Sequence, residues 1–411
     1  MKNSILKKCR ICSSKKLNGY LDLGKQPFSN SFLNYKDIKN EKKFPLVTVL
    51  CKNCGLSQLS IIPNTKFIFS KYDYLSSSSK ALSDHYKKLV EKLVKNYNVL
   101  PDDAVLDIGC NDGILLNHYP KGFNNVLGVE PSDASKHIKQ KRIKLIKDFF
   151  NFKTSRKYLK KYKKPKIITI TNVLAQINNL KTFAKGLQNI TNRESVIVIE
   201  FPYLLHMINK GLFDLIYHEH LSYFSLTPLK FLFAKFGIKI INFEKVNLGA
   251  SGPAIRLFLA KNNSIYSTNN KVNKQIIYEK KWGVKKIKKY NFFRKNVKSK
   301  IIKIRKIIYL KYNQNYKLGC FTASSKGNTL LNCLNLKKNV IKFVSENNLK
   351  KIGKFTPGSH IKIVNDKTFL KQKIDYALLL SWNYKKFFLA KSLYSKKGGK
   401  FIIPLPAPHI G

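Results

Sequence analysis

Residues 216–225 read IYHEHLSYFS, and within them Tyr217, His218, Glu219 and His220 set a phenol, two imidazoles and a carboxylate side by side among apolar neighbours. Folding alone asks for none of these groups there. An imidazole takes a proton near neutral pH, a phenol donates to an oxyanion, and a carboxylate orients and biases an imidazole. Together they suit removal of a proton from a carbon beside a carbonyl, with stabilisation of the enolate oxygen. The plainer reading is a polar cluster at a domain interface. A metal on His218 and His220 lacks an evident third ligand, and H-E-x-x-H is absent.

A second chemical pattern lies near the start. Four of the seven cysteines form two C-x-x-C knuckles, Cys9 and Cys12 in CRIC and Cys51 and Cys54 in CKNC, with 38 residues between them. Each knuckle turns two thiolates toward one ion, so the set predicts a tetrahedral structural Zn²⁺ in a reducing compartment. Four thiolates leave no open position for catalysis. An incidental pair of motifs or a redox dithiol is the alternative. Cys110, Cys320 and Cys333 stand alone and read as small buried apolar residues.

These groups need elements to hold them. Residues 1–66 contain both knuckles and short β-like pieces such as FPLVTVL, a small zinc-stapled module. A polar joint, KYDYLSSSSKALSDH, leads into a helix through Val94. From Asp102 the rhythm changes: AVLDIGC, NVLGVE, KIITITNV and SVIVIEFPYL are short apolar runs at crossover spacing, which predicts buried parallel strands. Alternating strands and helices make residues 67–262 a doubly wound, Rossmann-like α/β domain. Residues 263–312 form a connecting helical segment, with one long amphipathic helix over 275–312. Residues 313–411 hold strand-like KLGCFTASSKGNT, VIKFVSEN, YALLLSW and KFIIPLP, a second and smaller α/β domain.

The formal net charge is +56, but only seven of the 78 basic residues are Arg, and the lysines are spread along all 411 residues. Lys, Asn and Ile are what AT-rich codons encode, so codon drift competes with a nucleic-acid partner as the explanation. Either way the charge favours a phosphorylated substrate. No run of eighteen apolar residues and no signal-like start are present. A soluble, cytoplasmic monomer without membrane contact is expected.

VLDIGCNDG, residues 105–113, is a strand running into a glycine turn. Gly109 and Gly113 let a ligand approach the backbone, and Glu130, twenty-one residues after Gly109, can accept from a ribose diol. A dinucleotide fingerprint would need glycine where Asn111 and Ile114 stand. The acid at Asp107, the looser turn and Glu130 fit S-adenosylmethionine instead, in a class I methyltransferase domain. TNVLAQI lacks the D/N-P-P-Y/F signature of nucleic-acid amino methylation, and no cysteine nucleophile lies between Cys110 and Cys320.

Over essentially its full length the chain resembles the nucleotide-sugar C-methyltransferases, among them the C-3 methyltransferase of tetronitrose biosynthesis. The resemblance rests on the four-cysteine module, DIGCNDG, NVLAQI, YHEHLSYFS, GASGPAIR, ASSKGNTLLN, KFTPGSHI and GGKFIIPLP, in that order. It implies transfer of a methyl group to carbon of a nucleotide-linked keto-deoxysugar. His220 would remove the C-3 proton beside a 4-keto group, with Tyr217 and Glu219 holding the sugar and tuning the histidine. Asp107, Gly109, Asn111, Gly113, Glu130, Asn172 and Gln176 would line the cofactor, and the stretch from Tyr74 to Ser77 would cover it. Ser325, Lys326 and Asn328 would lie near the nucleotide diphosphate, with Arg256 on the substrate side. One departure stands out: Gln176 occupies the place of a usual histidine, so only hydrogen bonding remains there. The rival readings are a methyltransferase acting on RNA and a zinc-bearing, non-catalytic interaction protein.

Overall fold

The computed structural model of the protein describes residues 4–64, 68, 75–249 and 252–411. Tyr74 lies outside the described residues, as do Ala250 and Ser251 of GASGPAIR.

The N-terminal module is an antiparallel sheet of β1 (Leu17–Gln26), β2 (Phe44–Cys51) and β3 (Ser57–Leu59). The second knuckle follows directly: Cys51 ends β2, and the turn through Cys54 delivers the chain to β3. A fourth strand, Ser222–Tyr223 from far along the chain, pairs with β3 and completes this sheet. Helix α1 (Lys80–Asn96) is capped by Ser79 and buries Leu82, Tyr86, Leu89, Val90 and Leu93, one stripe at helical spacing.

The central domain is a seven-stranded sheet. Its parallel strands are β4 (Val105–Ile108), β5 (Val126–Val129), β6 (Lys144–Ile146), β7 (Ile167–Thr171) and β8 (Val196–Pro202). After β8 come α2 (Leu204–Lys210), a single turn at Phe213–Leu215, the short strand β9 (Ser222–Tyr223), β10 (Ile238–Gly249) and β11 (Gly252–Lys261). The order is β10-β11-β8-β7-β4-β5-β6, with β11 antiparallel to both its neighbours. β4, β5 and β7 are buried at every residue, as apolar strands covered on both faces must be. The order reverses beside β4, between β5 and β7, which opens a crevice at the carboxyl ends of these strands.

The single helix expected over 275–312 is two: α3 (Asn270–Trp282) and α4 (Ile287–Asn313). Gly283, left-handed at φ 92°, caps α3 and turns the chain, a conformation that costs glycine little. The C-terminal domain follows with β12 (Leu318–Phe321), α5 (Ser325–Leu334), β13 (Val344–Ser345), β14 (Ile363–Val364), β15 (Tyr376–Leu379), β16 (Lys400–Ile403) and β17 (His409–Ile410). Its sheet runs β14-β13-β12-β15-β16-β17 and is parallel except at β17.

The N-terminal module is wedged between the other two units. Cys9, Ile11, Cys51, Cys54 and Leu56 share a core with the central sheet. Tyr20, Leu46, Leu50 and Leu59 share another with α2, α4 and the C-terminal sheet. No helix among the described residues is long and apolar enough to cross a membrane.

Candidate active site

The quartet lies in an irregular segment between the Phe213–Leu215 turn and β9, held on three sides. His218 and Glu219 form the middle of a turn closed by the His220 amide on the Tyr217 carbonyl at 2.9 Å, which sends the side chains different ways. His220 Nδ1 lies 3.1 Å from the Leu215 carbonyl oxygen, and its Nε2 lies 2.8 Å from the Tyr217 hydroxyl. A carbonyl only accepts, so Nδ1 carries the hydrogen and Nε2 presents a lone pair to the tyrosine. The two rings are tilted by 32° with centroids 4.0 Å apart. Burial pulls the His220 pKa down to about 4, which keeps the ring neutral. A small cavity brings His220 together with Ala175, Phe201 and Pro202, at the ends of β7 and β8.

His218 turns away into the N-terminal module. Its Nε2 donates to the Pro45 carbonyl at 3.2 Å, its ring sits edge-on to Phe28 and Phe44, and burial lowers its pKa to about 4. Glu219 also points there rather than at an imidazole. Its carboxylate accepts from Ser29 Oγ at 3.0 Å, the Asn30 amide N at 3.1 Å and Asn30 Nδ2 at 3.3 Å, while burial pushes its pKa up. Ser29 and Asn30 continue the chain of bonds to α5: Ser325 Oγ donates to Asn30 Oδ1 at 2.5 Å and Asn328 Nδ2 to the Ser29 carbonyl at 2.7 Å. Lys326 is buried against the Trp382 ring at 4.5 Å and donates to Asn383 Oδ1. Burial lowers its pKa to about 8, against the opposing pull of Asp214. Trp382 Nε1 in turn donates to Asp214 Oδ2 at 2.6 Å.

The glycine turn sits at the crevice. Gly109 has φ 77°, and a Cβ there would come within 2.3 Å of Val173 Cγ2, so the close approach of the 172–176 loop to this turn demands glycine. Glu130 accepts from the Asn111 and Ser132 amides, both at 2.9 Å, which ties the turn to the end of β5 and leaves lone pairs for a ligand hydroxyl. Asp107 accepts from Thr169 Oγ1 at 2.7 Å, and burial raises its pKa to about 7. The amides of Ser76 and Ser77 donate to Asn111 Oδ1 (2.9 Å) and Asp112 Oδ2 (3.0 Å), drawing the segment before α1 across Gly113 and its neighbours. Both amide atoms of Asn172 are shut from solvent without a protein partner, and Gln176 folds back to donate to the Asn172 carbonyl at 3.3 Å. Two orphaned polar atoms beside a buried carboxyl and a glycine turn fit a polar, ribose-bearing cofactor such as S-adenosylmethionine.

Arg256, expected on the substrate side, is committed to the sheet. Its Nε and Nη2 donate to Glu200 Oε2 at 3.0 and 2.7 Å, its Nη1 reaches Glu244 at 3.3 Å, and His85 closes the group on Glu200 at 2.9 Å. These bonds tie the guanidinium into the central sheet between Glu200 and Glu244.

The four cysteine sulfurs all lie within 4.8 Å of one another, with Cys9–Cys54 at 3.6 Å and Cys12–Cys51 at 3.5 Å. Four thiolates at this spacing fit tetrahedral Zn²⁺. Arg10, inside the first knuckle, was not singled out by its spacing. It donates through Nη1 to the Ile177 and Asn178 carbonyls at 2.8 and 3.1 Å, and through Nη2 to the Leu221 carbonyl at 2.8 Å and to Ser222 Oγ. Ser29, Asn30, Asp214 and Trp382 were missed as well; no motif marks them.

Three family models match in chain order: "Putative zinc binding domain" over residues 9–69, "Methyltransferase domain" over 78–242 and "C-methyltransferase C-terminal domain" over 250–406. The C-methyltransferase NovU of Streptomyces niveus is 25% identical over 405 residues, 98% of this chain and 96% of that one. Among solved structures, a SAM-dependent methyltransferase of Archaeoglobus fulgidus is 18% identical, covering 44% of this chain and 94% of that chain at a TM-score of 0.34. The magnesium protoporphyrin IX methyltransferase of Synechocystis, solved with SAH, is 15% identical, covering 44% and 83% at a TM-score of 0.34.

Proposed function

We propose that this S-adenosylmethionine-dependent methyltransferase, with its four-cysteine zinc-binding domain and its C-methyltransferase C-terminal domain, methylates carbon in a nucleotide-linked keto-deoxysugar. The observation that carries the reading is the Tyr217–His220 pair, a neutral imidazole that lines a cavity at the ends of β7 and β8 and a buried phenol bonded to its Nε2. The similarity to a C-methyltransferase along 98% of the chain supports carbon as the acceptor atom.

The steps belong to the chain's own residues. His220, held as its Nδ1–H tautomer by the Leu215 carbonyl, takes the C-3 proton on Nε2. Tyr217, now released from that nitrogen, donates to the oxygen of the 4-keto group as it becomes an enolate. S-adenosylmethionine, when bound, supplies the electrophilic methyl group; Asp107, Asn111, Glu130 and Asn172 would hold it, with the Ser76–Ser77 segment across the turn. Lys326, Ser325 and Asn328 on α5 would exchange their bonds to Asn383, Asn30 and the Ser29 carbonyl for the nucleotide diphosphate, where a buried ammonium and a helix start both favour anions. The units at 1–66, 67–262, 263–312 and 313–411 thus act as one body around a shared cleft in a cytoplasmic enzyme.

The test uses purified protein, S-adenosylmethionine and a panel of nucleotide-linked 4-keto-deoxysugars, read by mass spectrometry. The expected result is one added methyl group that survives chemistry stripping O- and N-methyls. Cofactor binding without a methylated sugar, and methylated RNA in a parallel reaction, would transfer the assignment to RNA.

A further inference from the structure

Arginine is rare here, seven residues among 78 basic ones, so a guanidinium inside a zinc knuckle is a departure from the chain's own habit. Arg10 holds four acceptors at once. Two are the carbonyls of Ile177 and Asn178, directly after Gln176; the other two, Leu221 O and Ser222 Oγ, directly follow His220. The same span is pinned again at Leu221, whose amide donates to the Ala175 carbonyl at 2.8 Å and whose carbonyl accepts from the Leu59 amide at 3.0 Å. One planar fork therefore stitches the loop after β7 to the residue behind the histidine, and its backbone is set by the cysteines on either side. A lysine ammonium cannot span four acceptors arranged in a plane.

We infer that Arg10 is a positioning residue for His220: it carries the geometry of the zinc knuckle into the catalytic loop and holds the imidazole against Tyr217. The zinc module is then part of the active site's scaffold and not an appended stabiliser. This rests on the reading of His220 as the base. The alternative role is purely structural, with Arg10 only retaining the metal or the module. The two differ in what a zinc-loaded variant does.

The experiment compares the full-length wild type with Arg10→Gln and Arg10→Lys, keeping zinc content and S-adenosylmethionine affinity as checks on the fold. Imidazole ¹⁵N NMR, with His220 assigned through His220→Gln, reports tautomer and titration without any substrate. In the wild type His220 shows one tautomer that resists protonation. In both variants, with zinc and cofactor binding intact, it shows mixed tautomers and titrates closer to an ordinary histidine. With the methylated sugar of the panel, kcat falls on the order of 10²-fold, as for a misplaced catalytic group, while KM moves less than threefold. Partial rescue of Arg10→Gln by added guanidinium ion strengthens the case. Unchanged His220 signals in zinc-loaded variants overturn it, as does loss of zinc in both variants, which would make Arg10 a metal-retention residue. If no sugar is methylated by the wild type, the functional reading falls, and the NMR comparison still decides the role of Arg10.

Discussion

The Tyr217 hydroxyl lies 2.8 Å from Nε2 of His220, on a ring whose other nitrogen is committed to the Leu215 carbonyl at 3.1 Å. That pairing fixes the tautomer and puts the one lone pair of Nε2 on the Tyr217 hydroxyl, so that a proton taken by Nε2 frees the same O–H for an oxygen of the substrate. Burial does the rest, since an imidazole with a pKa near 4 stays unprotonated throughout the physiological range.

A pH profile follows from this. His220 acts in its neutral form, so kcat/KM should hold level as pH drops through 6.5, where an ordinary histidine would already be half protonated. The acid limb belongs near pH 4 to 5. His220→Gln should lower kcat by about 10²- to 10⁴-fold, the usual range for a lost general base. Tyr217→Phe should cost about 10²-fold, because a buried oxyanion donor is lost while the ring is kept. An acid limb at 6.5 in rapid kinetics would show that another histidine carries the proton.

His218 gives a separate prediction, one of stability. Its folded pKa of about 4 lies below the unfolded value of 6.5, so the unfolded chain binds more protons between those values. Its stabilising contribution is therefore complete above pH 6.5 and is lost as pH falls toward 4. Asp107, Glu219 and Asp214, pushed up by burial, work in the opposite sense, so the wild-type curve alone is uninformative. The difference from His218→Gln isolates the imidazole. Between pH 6.5 and 5 that difference should shrink by about 1.6 kcal/mol, since the slope rises from half its full 1.36 kcal/mol per pH unit at the unfolded pKa. Denaturant titrations of both proteins at the two pH values measure it, and a constant gap would show that His218 is not held neutral.

Much of this was legible in the sequence, for physical reasons. β4, β5 and β7 announce themselves because strands covered on both faces must be apolar throughout. The knuckles do so because zinc fixes cysteine spacing. The quartet was visible as chemistry without a structural reason. Its internal arrangement was not, because a strand-like alternation would have sent Tyr217 and Glu219 one way and His218 and His220 the other. The actual segment makes one turn over His218 and Glu219, sending Glu219 to Ser29 and Asn30 and leaving Tyr217 with His220. Long-range partners have no local signature, so Asp214 with Trp382, 168 residues apart, could only come from the structure. The partners of Arg256 were hidden for the same reason: nothing near it in the chain shows Glu200 and Glu244 beside it. Composition did hold one unused clue. Where lysine is the habit, some of the few arginines mark forks that need several acceptors: Arg10 and Arg142 each bind four, and Arg256 bridges two carboxylates.

Asn172 offers a test of the cofactor site. Its φ of 59° suits glycine, and neither amide atom has a protein partner. Asn172→Gly therefore keeps the backbone and deletes only the groups that face the crevice. Affinity for S-adenosylmethionine, by calorimetry, should fall about tenfold, the worth of one to two net hydrogen bonds. The apo protein should lose little stability, since the deleted atoms are unpaired there. Unchanged affinity would move the cofactor away from the end of β7.

Removing zinc should separate catalysis from cofactor binding. Cys51 closes β2, Cys54 turns the chain into β3, and β3 pairs with β9 two residues beyond His220. The knuckles also pack on one face of the central sheet, against Ile108, Val129 and Ile170, while its other face is covered by α1. Without the ion, four thiol groups packed within 4.8 Å have nothing to hold them, and the folding free energy of a structural zinc site, on the order of 10 kcal/mol, is withdrawn from this corner. Chelation, or Cys51→Ser, should therefore abolish methyl transfer while S-adenosylmethionine affinity stays within about twofold of wild type, because the face of the central sheet packed on α1 keeps its own core. Full activity in metal-free protein would disprove the link between knuckle and catalytic loop. Loss of both properties together would show instead that the central domain cannot fold without the wedge that the N-terminal module drives between it and the C-terminal sheet.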